Sequence, residues 1–130
     1  MTMAEVMLAA LILMGAASAS LQIWSKSMVE INSAQRRQLA LNRIDGELIL
    51  LQHHWQKLAQ YGLLDPSCRA ASEQLLAKLH QTPPTAGVDR QITLLTAEEG
   101  LLVSLRDQSE PRARREQLVK PGALRLCEGA

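Results

Sequence analysis

The chain has 130 residues, a formal net charge of +1, 47% hydrophobic residues and 21% charged ones. Charge this balanced names no polyanionic partner, and the length leaves room for one small domain. Phe is absent and the aromatics are only Trp24, Trp55 and Tyr61, so a core must be built from Leu, Ile, Val and Ala.

The first feature in chain order is an apolar run from Val6 to Trp24. Val6 through Ala17 carries no charge and no hydrogen-bonding side chain; Ser18, Ser20 and Gln22 then dilute the run, and Lys26 is the first basic residue. As a helix, Val6–Trp24 reaches roughly 28 Å, about the hydrocarbon thickness of a bilayer. Glu5 stands at the entering end, where a charge is costly without a partner. Met1, Thr2, Glu5, Val6 and Leu8, followed by this run with Gly15 midway, resemble the N-terminus of mature type IV pilins and of the pseudopilins of type II secretion. Met3 and Ala4 stand where that family usually has Leu-Ile, and Gln22 where many members have Pro.

The resemblance implies that a leader is removed ahead of Met1 and that the Met1 amine is methylated. The subunit then waits as a single span in the bacterial inner membrane. Assembly machinery packs it with identical or related subunits into an extracellular filament. Met1, Thr2 and Glu5 form the implied assembly set, with Glu5 neutralised by the Met1 amine of its own or a neighbouring chain and the Thr2 hydroxyl joining the cluster. Ala9, Ala10, Gly15, Ala16 and Ala19 supply small surfaces for close helix approach. Two other readings stay open for this stretch. One is a secretory signal peptide with its core at Val6–Met14 and a site at Ala17-Ser18-Ala19, although its n-region carries Glu5 rather than basic residues. The other is a single-span anchor for a non-polymerising adaptor, for which Lys26, Arg36 and Arg37 favour a cytoplasmic C-terminal part.

Beyond Lys26 the helical signal continues. Lys26–Gln60 has no Pro and one Gly and is rich in strong helix formers. Leu41, Ile44, Leu48, Leu51, Trp55 and Leu58 draw one stripe, while Arg36, Arg37, Arg43, Glu47 and Lys57 are assigned to other faces. One helix from about Thr2 to Gln60, roughly 88 Å long, is expected, ending at Tyr61-Gly62. Gly15 and Gly46 are its points of weakness. The stripe is short for a coiled coil and is read as the face on which a C-terminal domain packs.

Asp65-Pro66-Ser67 begins a second helix, with Asp65 as cap and Pro66 in the first turn; Cys68, Ala71, Leu75 and Leu79 line it through about His80. Thr82–Gly87, with Pro83-Pro84, reads as a loop. Gln91–Asp107 reads as a β-hairpin turning through Ala97–Gly100, Ser109–Gln117 as an exposed charged loop, and Ala123–Cys127 as a third strand after Pro121-Gly122. Cys68 and Cys127 have no metal-ligand spacing, and in an exported domain this small a disulfide is expected. Closing so long a loop is worth roughly 4 kcal/mol in the chain-entropy account.

No nucleophile elbow, phosphate loop or carboxylate motif is present, so neither an enzyme nor a cofactor is expected. His53 and His54 diverge on a helix and His80 lies on another element, which disfavours a zinc site. Glu98, Glu99 and Asp107 lack the spacing of a calcium loop such as some pseudopilins carry. Some minor pilins bind DNA, but Arg112, Arg114 and Arg115 are flanked by Glu110 and Glu116 with no aromatic nearby, so a solvated loop is preferred to a nucleic-acid site.

The expected fold is therefore α+β and pilin-like: a hydrophobic helix segment at 1–25, its amphipathic continuation at 26–61, and a disulfide-stapled domain at 62–130 with one short helix and a three-stranded antiparallel sheet. The expected function is a structural filament subunit. A pseudopilin or minor tip or priming pilin of a type II secretion or DNA-uptake system is the alternative within the same family.

Overall fold

A computed structural model describes residues 2–62 and 64–128. Its elements are α1 (Met3–Gln60), α2 (Cys68–Gln81), β1 (Val88–Leu95), β2 (Gly100–Asp107) and β3 (Arg114–Val119). A long N-terminal helix, a short helix and one antiparallel sheet of order β1-β2-β3 give the expected α+β layout. The chain divides into two compact units, Met1–Arg36 and Arg37–Ala130. Composition changes near residue 25, but burial along α1 begins only at Ala40, so the packed unit takes up the helix later than the change in composition.

Gly15 and Gly46 both lie inside unbroken helix. At the other end, the Tyr61 N–H donates to the Leu58 carbonyl (3.1 Å) and the Gly62 N–H to that of Ala59 (3.3 Å). These tightened bonds close the last turn, and Gly62, at φ +96°, takes the left-handed conformation that lets the chain leave. Before α2, Ser67 rather than Asp65 occupies the cap position. Asp65 instead accepts the Ser67 N–H (2.9 Å), ordering the approach, and Pro66 precedes the cap.

The second unit has a main core and, beside it, a smaller cluster of Cys68, Ala71 and Cys127. Ala40, Ile44, Leu51 and Trp55 of α1 meet Leu75 and Leu79 of α2 and the inner face of the sheet at Val88, Leu101, Val103, Leu105 and Val119. Along β2, Leu101, Val103, Leu105 and Asp107 are buried in strict alternation, as a strand with one covered face requires. Trp55 is only 3% exposed. Leu41, Leu48 and Leu58 flank the cluster, so the apolar stripe is the packing face.

Three expectations are corrected. The hairpin turns through Thr96–Glu99, not Ala97–Gly100, with Leu95 paired to Gly100, and Glu99 takes a positive φ (48°). Gly100 is needed for a steric reason: a Cβ there would lie 2.9 Å from the Val119 carbonyl oxygen, where β3 closes on β2. The third strand is Arg114–Val119, which begins inside the Ser109–Gln117 segment read as a charged loop and runs two residues past it. It lies at the sheet edge, where backbone pairing to β2 is sufficient and charged side chains are tolerated.

Ala123–Cys127 is not a strand. After Pro121-Gly122 its amides bond locally, with the Ala123 N–H on Lys120 O (3.1 Å) and the Leu126 N–H on Pro121 O (2.9 Å), and Arg125 has φ 56°. Leu126 is nonetheless fully buried, which accounts for the apolar signal. Cys127 is disulfide-bonded to Cys68, Cα to Cα 5.0 Å, so the bond fastens a turn, not a strand, to the first residue of α2.

Gly100→Ala is expected to destabilise the fold by about 1–3 kcal/mol, because a backbone carbonyl must move to admit the methyl group. Denaturant unfolding in detergent checks this, and an unchanged midpoint would show that β3 shifts freely.

Candidate functional site

Two regions hold the candidate residues. In the first unit, α1 is long and apolar enough to cross a membrane by length and composition. Its apolar side chains, among them Met7, Leu8, Leu11, Leu13 and Trp24, are exposed. The hydroxyls that dilute the run are satisfied within the helix: Ser18 donates to Gly15 O and Ser20 to Ala16 O, both at 2.9 Å. That spares them a desolvation cost in an apolar medium.

Glu5 lies in the first turn, and its Oε2 accepts the Thr2 backbone N–H (2.8 Å), while the Thr2 carbonyl accepts the N–H groups of Glu5 (3.1 Å) and Val6 (3.3 Å). This is the backward half of a capping box, and a carboxylate there also suits the positive end of the helix dipole. Thr2 thus contributes its backbone amide to Glu5. Met1, and with it the expected amine partner, lies outside the described residues.

At about 100° per residue, Glu5, Ala9, Ala16 and Ala19 fall within roughly a quarter of the helix circumference. Gly15 lies at the margin of this face, and Ala10 stands about 100° away from Ala9. The carboxylate and most of the small residues therefore share one face.

The second region is a polar seam inside the folded unit. Glu47, expected on a solvated face, is 3% exposed and lies within the stripe Ala40, Ile44, Glu47, Leu51, Trp55. Its Oε1 takes Arg90 Nη1 (3.1 Å), and its Oε2 takes the Thr85 N–H (3.0 Å) and hydroxyl. Arg90 Nη2 donates onward to the carbonyls of Leu79 (2.7 Å) and Thr82, capping the C-terminal end of α2. The spacing of three from Ile44 and four from Leu51 marked Glu47 as inward; its charge argued the other way.

Nearby, fully buried Asp107 binds Arg43 (3.0 Å) through one oxygen and the N–H groups of Ser109 and Glu110 (each 3.0 Å) and the Ser109 hydroxyl through the other. The Ser109 hydroxyl, then the Glu110 amide and the Arg43 charge, hold its carboxyl below the usual value of 3.8, against the opposing effect of burial.

Among the described residues no three His, Cys, Asp or Glu side chains converge as metal ligands. His53 and His80 are exposed, whereas His54 is half-buried and lines a cleft of about 280 Å³ between α1 and Thr82–Thr85. Arg114 and Arg115 lie on a strand, not a loop, and alternate across it; Arg115 pairs with Asp45 (3.5 Å). Comparison with protein-family models, curated proteins and solved structures finds no match to this chain.

Two outcomes follow from the seam. Arg90→Met, which leaves Glu47 buried and unpaired by charge, is expected to cost about 3–5 kcal/mol, and a Glu47→Leu/Arg90→Met double variant to recover most of it; denaturant unfolding of the three proteins checks the pair. For Asp107, whose folded pKa is depressed, the contribution is complete above the unfolded value and is lost as pH falls through the folded one. Asp107→Asn should therefore be less stable than wild type at neutral pH and lose less stability on acidification below about pH 4. Parallel slopes of unfolding midpoint against pH would contradict this.

Proposed function

We propose that the chain is a structural subunit of an extracellular filament of the type IV pilus kind, held in a membrane by its first unit before assembly. The observation that carries this reading is an exposed apolar helix whose one charged side chain before Lys26 is Glu5, on the same face as Ala9, Ala16 and Ala19. Such a surface requires lipid or other helices to cover it. Lipid covers apolar surface without regard to register, whereas a carboxylate is satisfied only at particular places. On insertion among neighbouring helices, Glu5 therefore acts as the addressing group, and the small residues allow the close contacts that supply attraction. A small α+β unit with a disulfide is compatible with export.

A second reading is favoured by one contact. Because Glu5 already accepts the Thr2 N–H, its carboxylate has a partner within a single chain, as a non-polymerising membrane-anchored adaptor requires.

Glu5→Ala separates the two. At equal membrane abundance, the filament reading expects a folded, inserted subunit whose entry into sheared filaments, counted by microscopy, falls about tenfold or more, as loss of a register-setting charge pair implies. Equal filament yield from variant and wild type removes the addressing role. No filaments from wild type, under conditions that assemble related fibres, favours the adaptor.

A further inference from the structure

The open edge of the sheet has features that neither reading uses. β3 pairs with β2 on one side only. The Asp107 N–H donates to the Ala113 carbonyl (3.1 Å), and the register continues through Leu105 and Arg115, Val103 and Gln117, and Leu101 and Val119. In an antiparallel ladder those are the bonded pairs, so the backbone groups of Arg114, Glu116 and Leu118 point away from β2. Among the described residues no backbone bond ends on them. Leu118 is itself 41% exposed.

The edge is cationic on its outer face. Arg114 stands directly opposite Arg106, an unfavourable cross-strand pair, and Arg112 lies just before it. All three are exposed and join no ion pair among the described residues; Glu116 is the nearby acid on β3, and Asp89 lies across from Arg106. On the inner side, the same strand borders a crevice of about 110 Å³ lined by Trp55, Gln117, Leu118, Val119 and Leu124. Two of these carry buried polar atoms with no hydrogen-bond partner: Trp55 Nε1, a donor, and Gln117 Oε1, an acceptor. Such orphans are costly, and two beside one crevice form a matched set for a group that both accepts and donates.

We propose that β3 is a docking edge for an extended acidic segment of another protein, added as a fourth strand. Its backbone pairs with Arg114, Glu116 and Leu118, and an acidic side chain relieves the Arg106–Arg114 opposition. A hydroxyl or carboxamide side chain on its inner face parts the half-buried Gln117 from the crevice and bonds with Trp55 Nε1–H and Gln117 Oε1. A second copy of β3 is the poorer occupant, because it sets one arginine-rich strand against another.

The test uses the full chain in detergent and short fluorescein-labelled peptides that alternate Asp with Thr, Ser, Asn or Ala. Saturable binding is expected, tighter for the Thr, Ser and Asn peptides than for Ala. New hydrogen-exchange protection should appear at the amides of Arg114, Glu116 and Leu118 and not at those of Arg115, Gln117 and Val119, which the ladder already protects. Leu118→Pro removes an outward N–H, together with the leucine side chain, without breaking a bond to β2, and Arg114→Glu reverses the outer charge. Each should weaken binding about tenfold while the Cys68–Cys127 bond still forms. Trp55→Phe should abolish the preference for Asn over Ala. The proposal is overturned if none of the peptides binds saturably, or if binding leaves the three edge amides unprotected. It is likewise overturned if those amides become protected with rising protein concentration alone, which assigns the edge to a second copy.

Discussion

The alignment of the folded unit turns on the Glu47–Arg90 pair. Both side chains are almost fully buried, so each charge is tolerable only because the other is there. Through them α1, the end of α2, the Thr82–Thr85 loop and β1 converge on one point, since Arg90 also takes the carbonyls of Leu79 and Thr82 and Glu47 takes Thr85. Apolar packing of Leu and Val against Trp55 would tolerate a slide of one element along another; a carboxylate with a fixed set of donors does not. The pair thus selects the alignment of helix and sheet more than it adds to the total stability.

Much of this architecture is legible in the residues. The break at Tyr61-Gly62, the α2 stripe and the hairpin all rest on local periodicity or turn chemistry, which act over a few residues. The losses are equally specific. β3 was hidden because Arg114, Arg115 and Glu116 carry no alternating apolar pattern; an edge strand is held by backbone bonds that any side chain permits. The stretch after Pro121-Gly122 misled because Leu126 is buried, and burial alone does not distinguish a turn from a strand. Glu47 was missed because its partner, Arg90, is remote in sequence and no local rule joins them. At the N-terminus the Glu5 anomaly was visible, but its bond to the Thr2 amide belongs to backbone geometry.

The two units meet different physical demands. In the first, the hydroxyls of Ser18 and Ser20 are satisfied by preceding carbonyls of the same helix. The second affords buried charges because it can surround them with donors drawn from distant positions. At the helix start, where backbone amides lack intrahelical partners, Glu5 finds its donor within the first turn.

The disulfide has a mechanical consequence. Cys68 and Cys127 close a covalent ring over α2 and all three strands, a sequence separation of 59 residues. A tensile load applied at the two ends of the polypeptide crosses that ring through the sulfur–sulfur bond. The sheet lies on the unloaded branch, and even a ruptured core cannot pay out the ring's slack. Extension is confined to residues outside the Cys68–Cys127 ring. A peptide-bond break inside the ring likewise leaves one covalently connected molecule.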